Sequence, residues 1–491
     1  MDRAPGPDDD ALAAGGEASA PESRWGGPRT AFAVVLAGAA SLRAVGIQYG
    51  LPFGNLLDPG EQQLVSRAWQ MVHGAGPDPH WFRQPSLMLY LLAPTQIGAS
   101  RPDELRARIL VLVLGVAAVA ATGWLAARAW GTSAGIVAAA ILAVETTHVV
   151  ASHGALADVP LTLGIAVALA LMLSGRLAWA ALASGLATSL RFAGVLLLVP
   201  LLLALCRSRR RTGGRDWRRL GSVALAFTGG FFLGTPYALV HPLKALGDMA
   251  GALTTVYGST PFGHEHDHWA GIAFVLQLWH GMALLLVVAL LGLALALAQR
   301  RSLADLLLPA FCCAYLIALL PLADHDARYV LPLLPALAAL AARVRYLTAV
   351  TVLLLALPLT FSLRRDVRLT RTDTRIAAVE QVEHLLPART AVAVDAGLPP
   401  LRRLRSLPLG LPQRQSRPGA AGQPRFQLQL LRLAGVRYVL VNGAVADAAT
   451  AAADRYPQAA AFYRALSRSK PVLRLESGRR YDGPWVALYR S

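Results

Sequence analysis

Lysine is all but missing from this 491-residue chain: of 47 basic residues, only Lys244 and Lys470 are lysines. Every other cationic role therefore falls to arginine. Acidic residues number only 29, and charged residues make up 15% of the chain, against 55% hydrophobic. The three cysteines, Cys206, Cys312 and Cys313, lie in or beside apolar runs without zinc-type spacing, and read as packing residues rather than a redox pair. Walker sequences, C-x-x-C pairs, a His–Glu pair one helical turn apart and a Ser-His-Asp order are all missing, as is any internal repeat. These absences exclude the commonest nucleotide-binding, thiol-redox, zinc-peptidase and triad-hydrolase classes.

What is present is a series of long apolar runs. A helix needs about 20 apolar residues to cross the hydrocarbon layer, and the first run, 29–49, supplies them after a Gly-, Pro-, Ala- and Asp-rich tail over 1–28 that reads as disordered and cytoplasmic. That run is too long for a signal-peptide core and reads as a retained span. A polar loop over 50–106 follows. Within it, 61–74 carries Leu64, Val65, Ala68, Trp69 and Val72 on one helical face, and 86–98 suits a short helix along the interface. Further spans fall near 107–127, 132–151, 157–174, 219–240, 270–298, 303–322, 329–343 and 346–363. The run 177–206 has Arg191 at its centre; a lone charge at mid-bilayer costs several kcal/mol, which predicts two short spans turning there. The fold class is thus a polytopic α-helical membrane protein with about 11 transmembrane helices.

Charge tests that count. The net charge of +18 would suggest nucleic acid in a soluble protein, but much of it lies in short connections. With the N-terminus inside, the inner connections hold Arg128, Arg176, RSRRRTGGRDWRR (207–219), QRR (299–301) and RVR (343–345). The outer ones hold Asp58 and Glu61, the segment around Asp158, HEHDH (264–268) and DHDARY (324–329). Basic loops fall on one side, as the positive-inside rule requires. Residues 364–491 alternate helix and strand signals, TRIAAVEQVEHLL, TAVAVDA, VRYVLVNG, a helix near 458–468, VLRLES and WVALYR. They predict a small C-terminal α/β domain on the outer side.

Several outer residues could carry chemistry. Asp58 and Glu61 follow the first span, Asp158 opens another, and Asp324, His325 and Asp326 precede Arg328 and Tyr329. Carboxylates at helix ends facing one water layer bind a divalent metal or act as a general base, or else are solvated capping groups; Asp158 before Val159-Pro160 would make a fair N-cap. His264 and His266, alternating with Glu265 and Asp267, would suit a metal if the loop is extended, with a plain polar loop as the alternative, more so for His268. Arg191 and Arg328 suit phosphate, which guanidinium grips bidentately, or else snorkel to the interface. His73, Asp78, His80 and Arg83 gather in the first loop.

Together these segments resemble the GT-C superfamily of polyprenyl-phosphate-sugar-dependent glycosyltransferases, in its bacterial protein O-mannosyltransferase and aminoarabinose transferase branch. The resemblance covers 30–363. It rests on the acidic motif after span 1, PHWFRQPSLMLYL (79–91), ALADVPLTL (155–163), GLATSLRFAG (185–194), with arginine where relatives usually carry lysine, ARYVLPLLPALA (327–338) and DTRIAAVEQVEHLLP (373–387). One departure stands out: members usually have adjacent Asp-Glu after span 1, whereas here Glu61 takes the Glu position and Gly60 the Asp position, with Asp58 displaced by two residues. Either the loop bends Asp58 into place, or Glu61 has taken over, or activity is impaired.

The resemblance implies sugar transfer from a polyprenyl-phosphate carrier to an acceptor hydroxyl on protein, lipid or glycan, at the outer face of the cytoplasmic membrane. It implies Asp58 or Glu61 as base, Asp158 as second acidic residue, and His80, Arg83, Arg191, Arg328 and Tyr329 around the substrate. A divalent metal ion would be held with help from His264 or His266. A lipid-carrier flippase or an inactive carrier-binding protein is the competing class. Clustering of the polar groups at one surface, rather than at mid-membrane, favours the enzyme.

Overall fold

The computed structural model describes residues 27–212, 217–258, 270–299, 302–322, 326–412 and 424–491. The chain up to Leu369 is built from helices in the order the apolar runs suggest. The first is α1 (Pro28–Ala44). Helix α2 (Pro59–Gln70) is capped by Asp58, whose side chain accepts from the Gly60 amide, and Pro59 at its first position gives up an N–H that has no helical partner anyway. Leu64, Val65 and Ala68 are buried, as the amphipathic pattern requires. After the short helix α3 (Leu87–Leu92), Asp103 caps the long helix α4 (Glu104–Trp130).

Charge interrupts two of the apolar runs, one of them read as a single span. Residues 132–151 divide into α5 (Thr132–Val144) and α6 (Thr146–Ala151), because Glu145 is extended and its carboxylate caps the His148 amide. Helix α7 (Asp158–Leu173) is followed by the run 177–206, which breaks where expected. Between α8 (Leu177–Thr188) and α9 (Leu198–Thr212), Arg191 is extended at φ −150° and ψ 142°. Then come α10 (Trp217–Gly234), α11 (Tyr237–Val240), α12 (Pro242–Gly258), α13 (Ala270–Gln299), α14 (Ala304–Leu319), α15 (Leu334–Ala342) and α16 (Thr348–Leu369). The sequence pattern does not announce α12, whose apolar face is interrupted by Gly247, Asp248 and Gly251. Among the described residues, three helices are long and apolar enough to cross a membrane, Glu104–Trp130, Gly281–Gln299 and Thr348–Leu369, and six shorter apolar helices accompany them.

Small residues let these helices approach closely. A Cβ on Gly185 of α8 would run into the Phe227 carbonyl of α10, and one on Gly230 of α10 into the Leu182 carbonyl of α8, so neither position tolerates a side chain. Such contacts replace the hydrophobic effect, which lipid does not supply between helices.

The C-terminal part contains β1 (Thr372–Asp373), α17 (Thr374–Leu385), β2 (Ala391–Asp395), β3 (Arg405–Gly410), α18 (Leu428–Leu433), β4 (Tyr438–Asn442), α19 (Gly443–Ala451), α20 (Pro457–Ser467), β5 (Leu473–Leu475), β6 (Tyr481–Asp482) and β7 (Val486–Arg490). Five strands form one sheet in the order β3-β2-β4-β7-β5, with β3, β2 and β4 parallel and β7 antiparallel to its neighbours. Strand β3, absent from the sequence reading, holds Pro408, which a sheet accepts at an edge. Arg375 ties this part to the bundle: it grips Asp373 with two nitrogens and donates to the Leu56 carbonyl at 2.5 Å, two residues before Asp58.

Candidate active site

Four helix ends bring charged groups together at one end of the bundle. Asp58 stands at the head of α2, Asp158 at the head of α7, Arg191 in the break after α8, and Arg328 in the helical turn 327–333 that leads into α15. Arg191 Nη2 donates to Asp158 Oδ2 at 2.9 Å, and Arg328 Nη1 donates to Asp58 Oδ2 at 2.5 Å. Arg328 also lies 3.3 Å from Asp326, which caps its own turn. The result is two carboxylate–guanidinium pairs side by side, near enough for Arg328 and Asp58 to act on Asp158 electrostatically. The Nε of Arg191 is buried and has no hydrogen-bond acceptor among the described residues, while the Nε of Arg328 has only the Asp326 carboxylate, at 3.3 Å.

A cavity of about 400 Å³ opens beside these pairs. It is lined by Asp158, Arg191, Arg328, Tyr329 and Arg83, and by apolar side chains such as Leu161, Leu196, Leu319 and Leu322. Tyr315 lines it too, its hydroxyl donating to the Tyr329 carbonyl at 3.1 Å. A site lined by three arginines and by apolar side chains suits an anionic group attached to a hydrocarbon chain.

The departure at Gly60 has a structural counterpart. A Cβ built on Gly60 would lie 2.9 Å from Asp58 Oδ1, so the carboxylate of Asp58 occupies the space into which a side chain at position 60 would begin to project. Glu61 is elsewhere. It is fully buried, both its oxygens are taken by Arg108 at 2.7 and 2.8 Å, and Oε1 also accepts from the Ala155 amide at 3.0 Å. Arg108 donates further to the Ile47 and Tyr49 carbonyls. This pair joins the turn after α1, α2, α4 and the segment leading to Asp158. Arg108, near the start of an apolar helix, was the missed residue; an intramembrane charge is itself the signal that could have flagged it.

His80 does not line the cavity. It sits at φ 46° on an exposed loop, where its backbone amide donates to Asp78 Oδ1, and His241 Nε2 lies 2.8 Å from Asp78 Oδ2. Ligand atoms of Asp78, His80 and His241 all lie within 4.8 Å of one another, close enough for one ion. Two imidazoles and a carboxylate are a donor set that zinc accepts. The residues that the sequence offers for a metal, His264 or His266, with Glu265, Asp267, His268, Asp324 and His325, lie outside the described residues.

Neither family models nor curated proteins match the sequence. Solved structures do match the fold. ArnT from Cupriavidus metallidurans bound to undecaprenyl phosphate superposes with a TM-score of 0.56 at 14% identity, over 93% of this chain and 97% of that one. Its apo state aligns with a TM-score of 0.48 at 16% identity, and there the match spans 63% of this chain and 58% of that one. The oligosaccharyltransferase AglB from Archaeoglobus fulgidus, in complex with an inhibitory peptide and a dolichol-phosphate, gives a TM-score of 0.52 at 13% identity, over 89% and 72%. The chain therefore has a fold similar to those of ArnT and the archaeal oligosaccharyltransferase, helical with a C-terminal sheet region.

Proposed function

We propose that this protein is an integral membrane glycosyltransferase that moves a sugar from a polyprenyl-phosphate donor to an acceptor hydroxyl at the outer face of the cytoplasmic membrane. The observation that carries the reading is the cavity in which Arg191 and Arg328 stand beside Asp158 among apolar side chains. The structures it resembles in fold hold undecaprenyl phosphate and dolichol-phosphate, and the same chemistry suits this cavity: the lipid chain along the leucines, the phosphate at the arginines.

The acceptor oxygen attacks the anomeric carbon, its proton passes to a carboxylate, and the bond from that carbon to the phosphate oxygen breaks. The leaving lipid phosphate gains negative charge, which Arg191 and Arg328 neutralise. Asp58 is the base in this scheme. It faces the site through Arg328, whereas Glu61 has both oxygens committed to Arg108. Asp158 holds Arg191 in place. A divalent ion on Asp78, His80 and His241 would fasten loop 77–85 to the start of α12, and so position Arg83 and Gln84 at the cavity wall. The tail beyond Leu369, set on the outer side, would shape the acceptor side through Arg375 and Leu56.

Purified protein in lipid nanodiscs, supplied with radiolabelled polyprenyl-phosphate sugars and a membrane extract, tests this. Transfer by wild type that collapses in Asp58→Asn and Asp158→Asn supports the assignment. Carrier binding without transfer, unchanged in both variants, would overturn it in favour of a lipid-carrier binding or flipping protein.

A further inference from the structure

At the end of the bundle opposite the two Asp–Arg pairs, two adjoining cavities of about 140 and 320 Å³ share Leu177 and Arg219. Their floors are apolar, made by Met172, Leu177, Ala204, Val223 and Leu303. Their rims carry Arg176 at the head of α8, Arg207 near the end of α9 and Arg219 near the start of α10, with Ser208 and Ser222 between them. Among the described residues, no acidic side chain lines either cavity. Trp179, 63% exposed, stands on the same rim.

Basic residues at this end are expected for topology alone, so their engagement decides the matter. Arg343 pairs with Asp305 and Gln299 and lies over Trp130, while Arg345 donates to Ser133 and Tyr346. Those arginines are used up in tying helix ends together. Arg176 and Arg207, by contrast, are exposed and have no side-chain partner among the described residues, yet they converge with Arg219 over an oily floor.

We propose that this basic double pocket binds an anionic membrane phospholipid with two phosphodiester groups, a cardiolipin-type lipid of the inner leaflet. One phosphate lies at Arg207 in the first cavity and the other at Arg176 in the second, on either side of Arg219. The acyl chains run down the apolar floors, and the exposed indole of Trp179 sits at headgroup depth. Arginine matches phosphate oxygens with paired donors, and basic pockets between helix ends on the cytoplasmic side take such headgroups.

Native mass spectrometry of the full-length protein released from detergent tests the assignment, with cardiolipin, phosphatidylglycerol or phosphatidylcholine added in turn. Cardiolipin adducts should survive activation that strips the other two. Arg176→Gln and Arg207→Gln should each lower cardiolipin occupancy about fivefold, whereas Arg176→Lys and Arg207→Lys, which keep the charge, should retain most of it. Arg345→Gln, at the same end but outside the pockets, should leave it unchanged. Phosphatidylglycerol retained as well as cardiolipin would overturn the two-phosphate assignment. Loss of the lipid to inorganic phosphate would make this a soluble-anion site, and occupancy indifferent to the Arg176 and Arg207 variants would remove the pocket from consideration.

Discussion

Arg108 and Glu61 meet in a two-pronged ion pair, Nε to Oε1 at 2.7 Å and Nη2 to Oε2 at 2.8 Å, with both side chains fully buried. Removing one member leaves the other as an unpaired buried charge, which costs about 3–5 kcal/mol. Glu61→Gln and Arg108→Leu should therefore lower the melting temperature in detergent by several degrees and reduce folded yield. The folded fraction should still bind donor. A Glu61→Gln protein that melts like wild type but transfers no sugar would instead make Glu61 the working carboxylate.

Asp58→Asn separates chemistry from folding. Asparagine caps a helix as well as aspartate does, so the Gly60 amide keeps its acceptor and the melting temperature should barely move. A missing general base lowers turnover about 10²–10⁴-fold, measured as sugar transferred per folded molecule. Gly60→Ala should act in the same direction more weakly, because its Cβ would press on Asp58 Oδ1 and turn the carboxylate away.

Arg191→Gln removes the partner of Asp158 and one of the two cations beside the cavity. A hydrogen-bonded charge contributes about 1.5–3 kcal/mol, so donor binding should weaken on the order of 10- to 100-fold. Arg191→Lys keeps the charge but loses the paired donors, and should fall between. Titration with a polyprenyl phosphate, followed by competition against labelled donor, reads both.

The helical runs were legible because apolar length is a long-range signal that survives any detail of packing, and the break at Arg191 followed from the cost of one charge. The pairing of Asp58 with Arg328, 270 residues away, was not legible. Composition gives each residue a side of the membrane, but no partner on it. Glu61 shows the same limit. Its place after the first span made it a candidate base beside Asp58, while its contacts in the fold are made by Arg108, which belongs to another helix. The edge strand over Arg405–Gly410 was hidden by Pro408, and nothing in the sequence marked His241 as a neighbour of Asp78 before α11 and α12 set them together.

Asp78, His80 and His241 give a prediction independent of transfer. Protein purified without chelator and equilibrated with zinc should retain about one ion after desalting, as tetrahedral zinc sites with three protein ligands do. Asp78→Asn and His241→Ala should lose it. Stability should fall with the ion, since a metal that binds only the folded form stabilises it by mass action. A zinc content and melting temperature equal to wild type in His241→Ala would reject the site.

In the C-terminal sheet region, Asp395 at the end of β2 is buried, accepting from the Asn442 amide at 3.0 Å and the Tyr463 hydroxyl at 2.9 Å. Burial pushes its carboxyl up from 3.8 to about 7, against the smaller opposing pull of those two donors. The folded form thus holds a proton that the unfolded chain releases near pH 4. Stability from this group is complete below the unfolded value and is lost as pH rises through the folded one. Residues 371–491 should accordingly be better protected from amide hydrogen exchange at pH 4.5 than at pH 7.5, after correction for intrinsic exchange rates. Asp395→Asn carries no titrating proton and should flatten that difference, because its amide still offers an oxygen to one donor. A pH dependence as steep in Asp395→Asn as in wild type would place its origin in another group.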